Sequence, residues 1–154
     1  MHPSVIKISE DYFKTLNVEA KTLSSWFFCD NEIDANECAK LVLQNIKKAT
    51  SPSLWWFHVN DVILPNVGDL NIITNWNGEA QCIIETTKVS IVPFNEITEE
   101  YAALEGEGEG DKTLEYWKQV HWSYYHRELE NTCYTPREYM PIVCEVFKVV
   151  FTPD

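Results

Sequence analysis

The feature that most limits what this chain can fold into is a β-rich stretch interrupted once, at Asn75-Trp76-Asn77-Gly78. Asp69-Leu70-Asn71-Ile72-Ile73-Thr74 precedes the break, and Gln81-Cys82-Ile83-Ile84 and Val89-Ser90-Ile91-Val92 follow it. Asn-Gly between two such runs is a strong hairpin signal, because both residues tolerate the positive φ of a tight turn. The two arms must then run antiparallel, with Pro65-Asn66-Val67-Gly68 as the turn that feeds the first. A further run, Ile142 to Phe151, is apolar apart from Glu145 and Lys148, which predicts a central strand covered on both faces. The order of elements is helix and then strands, not alternating βαβ, and this predicts an α+β fold.

The helices announce themselves by their ends. A short amphipathic stretch covers Ser9 to Leu16. Asp34-Ala35-Asn36-Glu37 has the form of a capping box with Asp34 as N-cap. Cys38, Leu41, Val42 and Asn45 then follow the i, i+3, i+4, i+7 pattern of one helix face. Asn45 can take the left-handed conformation that ends a helix, which leaves Ile46 to Pro52 as a loop. Leu54-Trp55-Trp56-Phe57 reads as strand material. Thr98 is an N-cap for a short helix whose first turn holds Glu99 and Glu100, where the helix dipole favours negative charge. Gly106, Gly108 and Gly110 break that helix into a Glu-Gly loop. A second long helix starts at Thr113, with Leu114, Trp117, His121, Tyr124, Tyr125 and Leu129 in a stripe.

Length and charge narrow the function classes. The 154 residues make one domain with a true core, with no linker or repeat to divide it. Hydrophobic residues at 45% and six tryptophans exclude a disordered acidic tail. Twelve Lys and Arg against 24 Asp and Glu give a formal charge of -12, so a generally basic nucleic-acid surface is excluded and any nucleotide site must be local. Seven of the acids fall between Asn95 and Asp111. No secretory signal is readable, and the apolar runs are far shorter than the roughly 20 residues of a membrane span. Five cysteines without a CxxC pair point to reduced thiols and to the cytoplasm, with Cys38, Cys82 and Cys144 as small core residues. His121 and His126 stand five apart, which does not align them on a helix face as a metal pair. No metal or cofactor is expected.

Several blocks together resemble the ASCH-domain proteins, small members of the PUA-like β-barrel superfamily. They are Trp26-Phe27-Phe28, Asp34 to Glu37, Leu41-Val42-Leu43, Lys47 to Thr50 with Leu54-Trp55, and Leu64 to Asp69. Cys82 to Thr87, Val92-Pro93-Phe94, Glu105 to Gly108, Trp117, His121 and Arg127-Glu128-Leu129 continue the match, which runs roughly from Ser25 to Phe151. The resemblance implies a small mixed β-barrel with flanking helices and a cleft carrying a GxKxxTxR-like motif. Here the motif reads Asn45 to Pro52: Lys47 and Thr50 keep their places, Asn45 replaces the glycine and Pro52 replaces the arginine. That arginine could hold a phosphate or carboxylate in a bidentate grip, and Pro52 cannot.

The superfamily is thought to handle RNA or nucleosides, and one branch resembles amidohydrolases that deacetylate N4-acetylcytidine with a Lys, a Thr and a Glu. By position those roles fall on Lys47, Thr50 and Glu105, with Glu107 as the runner-up carboxylate. A threonine hydroxyl needs a base to become a nucleophile, and a lysine serves once burial or a neighbouring cation such as Lys48 lowers its pKa. A carboxylate can orient that lysine or pass a proton to the leaving amine. The alternatives are an RNA-binding or RNA-cleaving module and a ligand-sensing regulator. In an RNA-binding module Trp55, Trp56, Phe57 and Tyr124 would stack bases, and Lys47, Lys48 and Arg127 would meet phosphates. In a ribonuclease His121 and His126 would be the acid and base. The expected partner is a nucleoside, a nucleotide or a short RNA, and not a membrane.

Overall fold

The structure, a computed structural model, describes residues 1–106 and 113–154. In chain order the elements are α1 (Pro3–Thr15), β1 (Ser25–Trp26), α2 (Glu32–Leu43), β2 (Ala49–Thr50), α3 (Leu54–Asn60), β3 (Leu70–Thr74), β4 (Ala80–Pro93), α4 (Glu99–Glu105), α5 (Leu114–Glu128) and β5 (Pro141–Phe151). The mixed α+β class expected from the element order is the one observed. No helix among the described residues is long and apolar enough to cross a membrane.

The hairpin forms as its turn chemistry requires. β3 and β4 pair antiparallel, Ile72 opposite Ile83 and Thr74 opposite Ala80, with Gly78 at φ +83 in the connection. The return arm and the Val89 to Val92 run are one strand of 14 residues, not two. Strand order is β1-β3-β4-β5-β2. The sheet is not closed, so the expected barrel is not confirmed: closure needs pairing all the way round, and the two edge strands are only two residues each. Ile142, Val143, Cys144 and Glu145 are buried in succession on β5, as a strand covered on both faces requires.

Two helix boundaries depart from the expectation. α1 begins at Pro3, ahead of Ser9, because His2 caps it: the His2 ring nitrogen accepts from the Ser4 N–H at 3.2 Å. α2 is capped by Asn31 and not by Asp34; the Asn31 side-chain oxygen accepts from the Asp34 N–H at 2.9 Å, and Asn31 has the extended backbone an N-cap needs. The larger correction is Leu54 to Phe57, which is helix. Ser53 accepts from the Trp55 N–H at 3.0 Å and starts α3, and the cap overrides the β-propensity of the two tryptophans and Phe57.

By contact density the chain forms two compact units, each assembled from separate stretches of sequence. The first holds residues 1–47, 68–86 and 147–154; the second holds 48–67 and 87–146. The first unit has two apolar clusters. One gathers Phe28, Cys38, Ala39, Val42, Ile73, Cys82, Ile84 and Phe147; the other gathers Val5, Ile8, Phe13, Leu23, Ile72 and Ile83. The core of the second unit is aromatic, with Phe94, Trp117, Tyr125, Leu129, Met140, Ile142 and Cys144 buried and Trp55, Trp122 and Tyr134 packed on it. Cys38, Cys82 and Cys144 sit in these cores as expected, and all five cysteines are free thiols.

Candidate functional site

The motif is launched by the end of α2. Asn45 takes φ +60; its N–H bonds the Val42 carbonyl at 3.0 Å, and the Ile46 N–H bonds the Leu41 carbonyl at 2.9 Å. This is a Schellman ending, with asparagine in the position where glycine is commonest. It reverses the chain, so Lys47 does not continue a solvated helix end. The residue is 2% exposed, and its Nζ lies 5.0 Å from the centre of the Phe28 ring in the first unit. Burying an ammonium is costly without compensation, and the electron-rich ring face supplies part of it.

The rest of the motif belongs to the second unit, where it forms a short run of backbone held from several sides. Lys48, half-buried, donates its N–H to the Leu104 carbonyl at 2.7 Å. Thr50 pairs with Glu145 through β2 and β5, and its carbonyl accepts from the Tyr101 hydroxyl at 2.8 Å. The Ser51 carbonyl accepts from the Tyr125 hydroxyl at 2.7 Å, and the Pro52 carbonyl accepts from the Val143 N–H at 2.9 Å. Ser53 donates its N–H to Glu128 Oε1 at 3.2 Å.

Glu105 is the chemical centre of this run. It is the last residue of α4, which Thr98 caps as expected and Gly106 ends at φ +65. The residue is 1% exposed. Its Oε1 accepts a hydrogen bond from Ser51 Oγ, which is itself 2.8 Å from the Tyr101 hydroxyl. His121 faces the same oxygen, with Nε2 at 3.6 Å. His121 Nδ1 is 2.9 Å from the Trp117 carbonyl, and a carbonyl only accepts, so Nδ1 carries a proton and Nε2 is left towards Glu105. Burial and the Glu105 charge hold the Tyr101 and Tyr125 hydroxyls well above the ordinary tyrosine range, so both remain donors at neutral pH. The same burial pushes the Cys144 thiol up to about 12.

Beside Glu105 and His121 lies a recess whose remaining walls are Ala102, Thr113, Tyr116, Trp117 and Val120. It is partly open and offers about 10 Å³ to the centre of a water-sized sphere, room for about one water. Trp117, one of these walls, buries its Nε1 without a hydrogen-bond partner, alone in this among the buried side-chain nitrogens and oxygens of the described residues. Glu105 and His121 beside one small space suit a polar group the size of a water.

The other expected binding residues divide between surface and core. Arg127 is exposed and lies over the Tyr124 ring at 5.8 Å. Trp55 is half-buried with one face stacked on Tyr134 at 4.8 Å, and Phe57 is 7% exposed. His121 is stacked on Trp117, and His126 is exposed. Glu107 lies outside the described residues. Among those that are described, no group of three His, Cys, Asp or Glu side chains could hold a metal ion.

Two residues escaped sequence reasoning. Glu128 continues the α5 stripe from His121 and Tyr125; burial raises its carboxyl to about 7, against the lowering influence of the Ser53 N–H and Tyr124. A carboxylate on an otherwise aromatic stripe was the available signal. Tyr101 gave none, since what it grips is the backbone of Thr50, remote in sequence.

Comparison with known proteins agrees with this architecture. The family model described as the ASCH domain matches residues 24–151. The crystal structure of an ASCH domain from Lactobacillus crispatus JV V101 is 36% identical, with a TM-score of 0.88 over 98% of this chain and 96% of that one. A protein from Enterococcus faecalis V583 is 29% identical, with a TM-score of 0.90 over 99% of this chain and 91% of that one. No curated protein matches. With the family model spanning most of its length, the chain belongs to the ASCH domain family.

Proposed function

We propose that the protein binds a short RNA, a nucleotide or a modified nucleoside, and that Glu105 is the proton-handling group of a hydrolytic site directed at an N-acylated nucleoside such as N4-acetylcytidine. The observation that carries this reading is the Glu105 environment: a carboxylate 1% exposed, accepting from Ser51 Oγ and facing His121 Nε2 at 3.6 Å. Buried ionisable groups in specific contact cluster at functional sites, because burial is costly and chemistry is the usual reason to retain it. The ASCH family is associated with RNA binding, which supports the ligand class. The charge of -12 favours a small ligand over a long strand, since long-strand affinity rests on many phosphate contacts.

In this reading Thr50 attacks the acyl carbon while Lys47 takes its proton, the C–N bond breaks as Glu105 passes a proton to the leaving amine, and a water then cleaves the Thr50 ester, freeing acetate and restoring the hydroxyl. The half-buried Tyr124 and the exposed Arg127 offer a ring and a cation to a base and a phosphate, and Lys48 adds a second cation. Trp55, with one face occupied by Tyr134, contributes an edge or its remaining face. Glu107 stays the alternative carboxylate by sequence position.

The test is release of acetate from N4-acetylcytidine by the purified protein and by Lys47→Ala, Thr50→Ala and Glu105→Gln. Each variant is expected to lose at least 100-fold in kcat/KM, the usual scale for a proton-transfer group. Full turnover in Thr50→Ala removes the covalent mechanism. A second reading, binding without chemistry, is favoured by the Tyr124 and Arg127 pair. It predicts that short single-stranded RNA binds with an affinity that falls steeply with salt and weakens in Arg127→Ala, with no product formed. No binding at low salt refutes it.

A further inference from the structure

In the first unit, Cys29 Sγ lies 3.6 Å from Cys38 Sγ, two thiols in van der Waals contact with no metal ligand set around them among the described residues. Cys29 follows β1 and is half-buried; Cys38 is on α2 and buried. Cys29 holds φ +68, a conformation that a side-chain-bearing residue keeps only where its surroundings fix it. Asn31 caps α2 between the two cysteines, so the short connection from Cys29 to Cys38 is ordered at both ends.

We propose that Cys29 and Cys38 are an oxidative modification site: a vicinal thiol pair that a hydroperoxide or a small-molecule disulfide converts to a disulfide within the chain. The sulfurs must close from 3.6 Å to about 2.05 Å, an approach of about 1.6 Å. With hydrogen peroxide the steps balance. The Cys29 thiolate, the more accessible of the two, attacks one peroxide oxygen; the O–O bond breaks, water leaves, and Cys29 becomes a sulfenic acid. The Cys38 thiolate then attacks that sulfur, the S–O bond breaks, a second water leaves, and the S–S bond forms. Two electrons and two thiol protons pass from the cysteines to the peroxide.

The other thiols are poorly placed to compete within the chain. Burial pushes Cys82 and Cys144 each up to about 12, which keeps them as unreactive thiols. Cys133 is exposed and reacts between molecules instead. The bond closes a loop of ten residues that contains the Asn31 cap and the first turn of α2, so the oxidised form should resist unfolding better than the reduced form.

The experiment uses the full chain with Cys133→Ser, leaving four thiols, exposed to hydrogen peroxide at low protein concentration. After denaturation and alkylation, the expected count of free thiols falls from four to two. The intact mass falls by two hydrogens, and a peptide map shows Cys29 joined to Cys38. Dithiothreitol restores four thiols, and the melting temperature of the oxidised form lies a few degrees above that of the reduced form. Adding Cys29→Ser, a near-isosteric change at a half-buried position, should abolish the loss of two thiols. A count that stays at four, a bond that joins Cys82 instead, or an unchanged two-thiol loss in the Cys29→Ser chain overturns the proposal.

Discussion

Replacing Glu128 with glutamine should change how the stability of the protein responds to pH. Burial raises the Glu128 carboxyl from an ordinary 4.5 to about 7, and the Ser53 N–H and the Tyr124 hydroxyl only partly oppose that rise. Between those two values the folded chain retains a proton that the unfolded chain has released. The folded state therefore binds more protons, and stability falls as pH rises through the window. The contribution is fully present below about 4.5 and absent above about 7. A difference of about 2.5 between the two values corresponds to at most about 3.4 kcal/mol at 1.36 kcal/mol per unit. The side chain is only partly sheltered, and solvent screening reduces the expected effect to about 1–2 kcal/mol. Urea unfolding of both proteins at a series of pH values from about 4.5 to 8 measures it, and taking the difference cancels the titrations they share. The wild type should lose about 1–2 kcal/mol relative to Glu128→Gln across that range. Parallel curves, or a wild type that gains relative to the variant as pH rises, would refute the burial argument.

Three further perturbations follow from the same geometry. Tyr125→Phe strips the donor from the Ser51 carbonyl and leaves a buried acceptor unpaired; the expected loss is about 1–3 kcal/mol in chemical denaturation, and a loss below about 0.5 would mean that the bond is replaced by water. Asn45→Gly should leave stability unchanged or raise it by up to about 1 kcal/mol, because φ +60 is free of strain for glycine, whereas Asn45→Val should lower it by about 1–2 kcal/mol; thermal melts of both distinguish them. Trp117→Phe removes a buried N–H that has no partner, so the usual penalty for deleting a hydrogen bond is absent. If that variant costs more than about 3 kcal/mol in unfolding, beyond its loss of ring volume, the N–H is satisfied by a bound water.

The sequence by itself determined the elements whose cause is local. The Asn77-Gly78 turn specified the hairpin, Thr98 and Thr113 capped their helices, Asn45 took the left-handed ending, and the run after Pro141, apolar apart from Glu145 and Lys148, became a strand buried on successive residues. Its patterns and order were enough to indicate an ASCH domain, and they placed Glu105 at a helix end. Local reading failed where two local preferences competed: at Leu54 to Phe57 the β-propensity of aromatic side chains lost to the Ser53 cap, and at Asp34 a plausible capping box lost to Asn31 three residues earlier. Only the tertiary structure decided which polar groups share an oxygen. Ser51 and Glu105 are 54 positions apart, Ser51 and Tyr125 are 74 apart, and Ser53 and Glu128 are 75 apart. Hydrogen bonds across such separations leave no periodicity in the chain, because each partner is brought by a different element and the contact exists only once the elements have packed. The burial that lifts Glu128 to about 7 and the 3.6 Å approach of His121 to Glu105 arise from that packing.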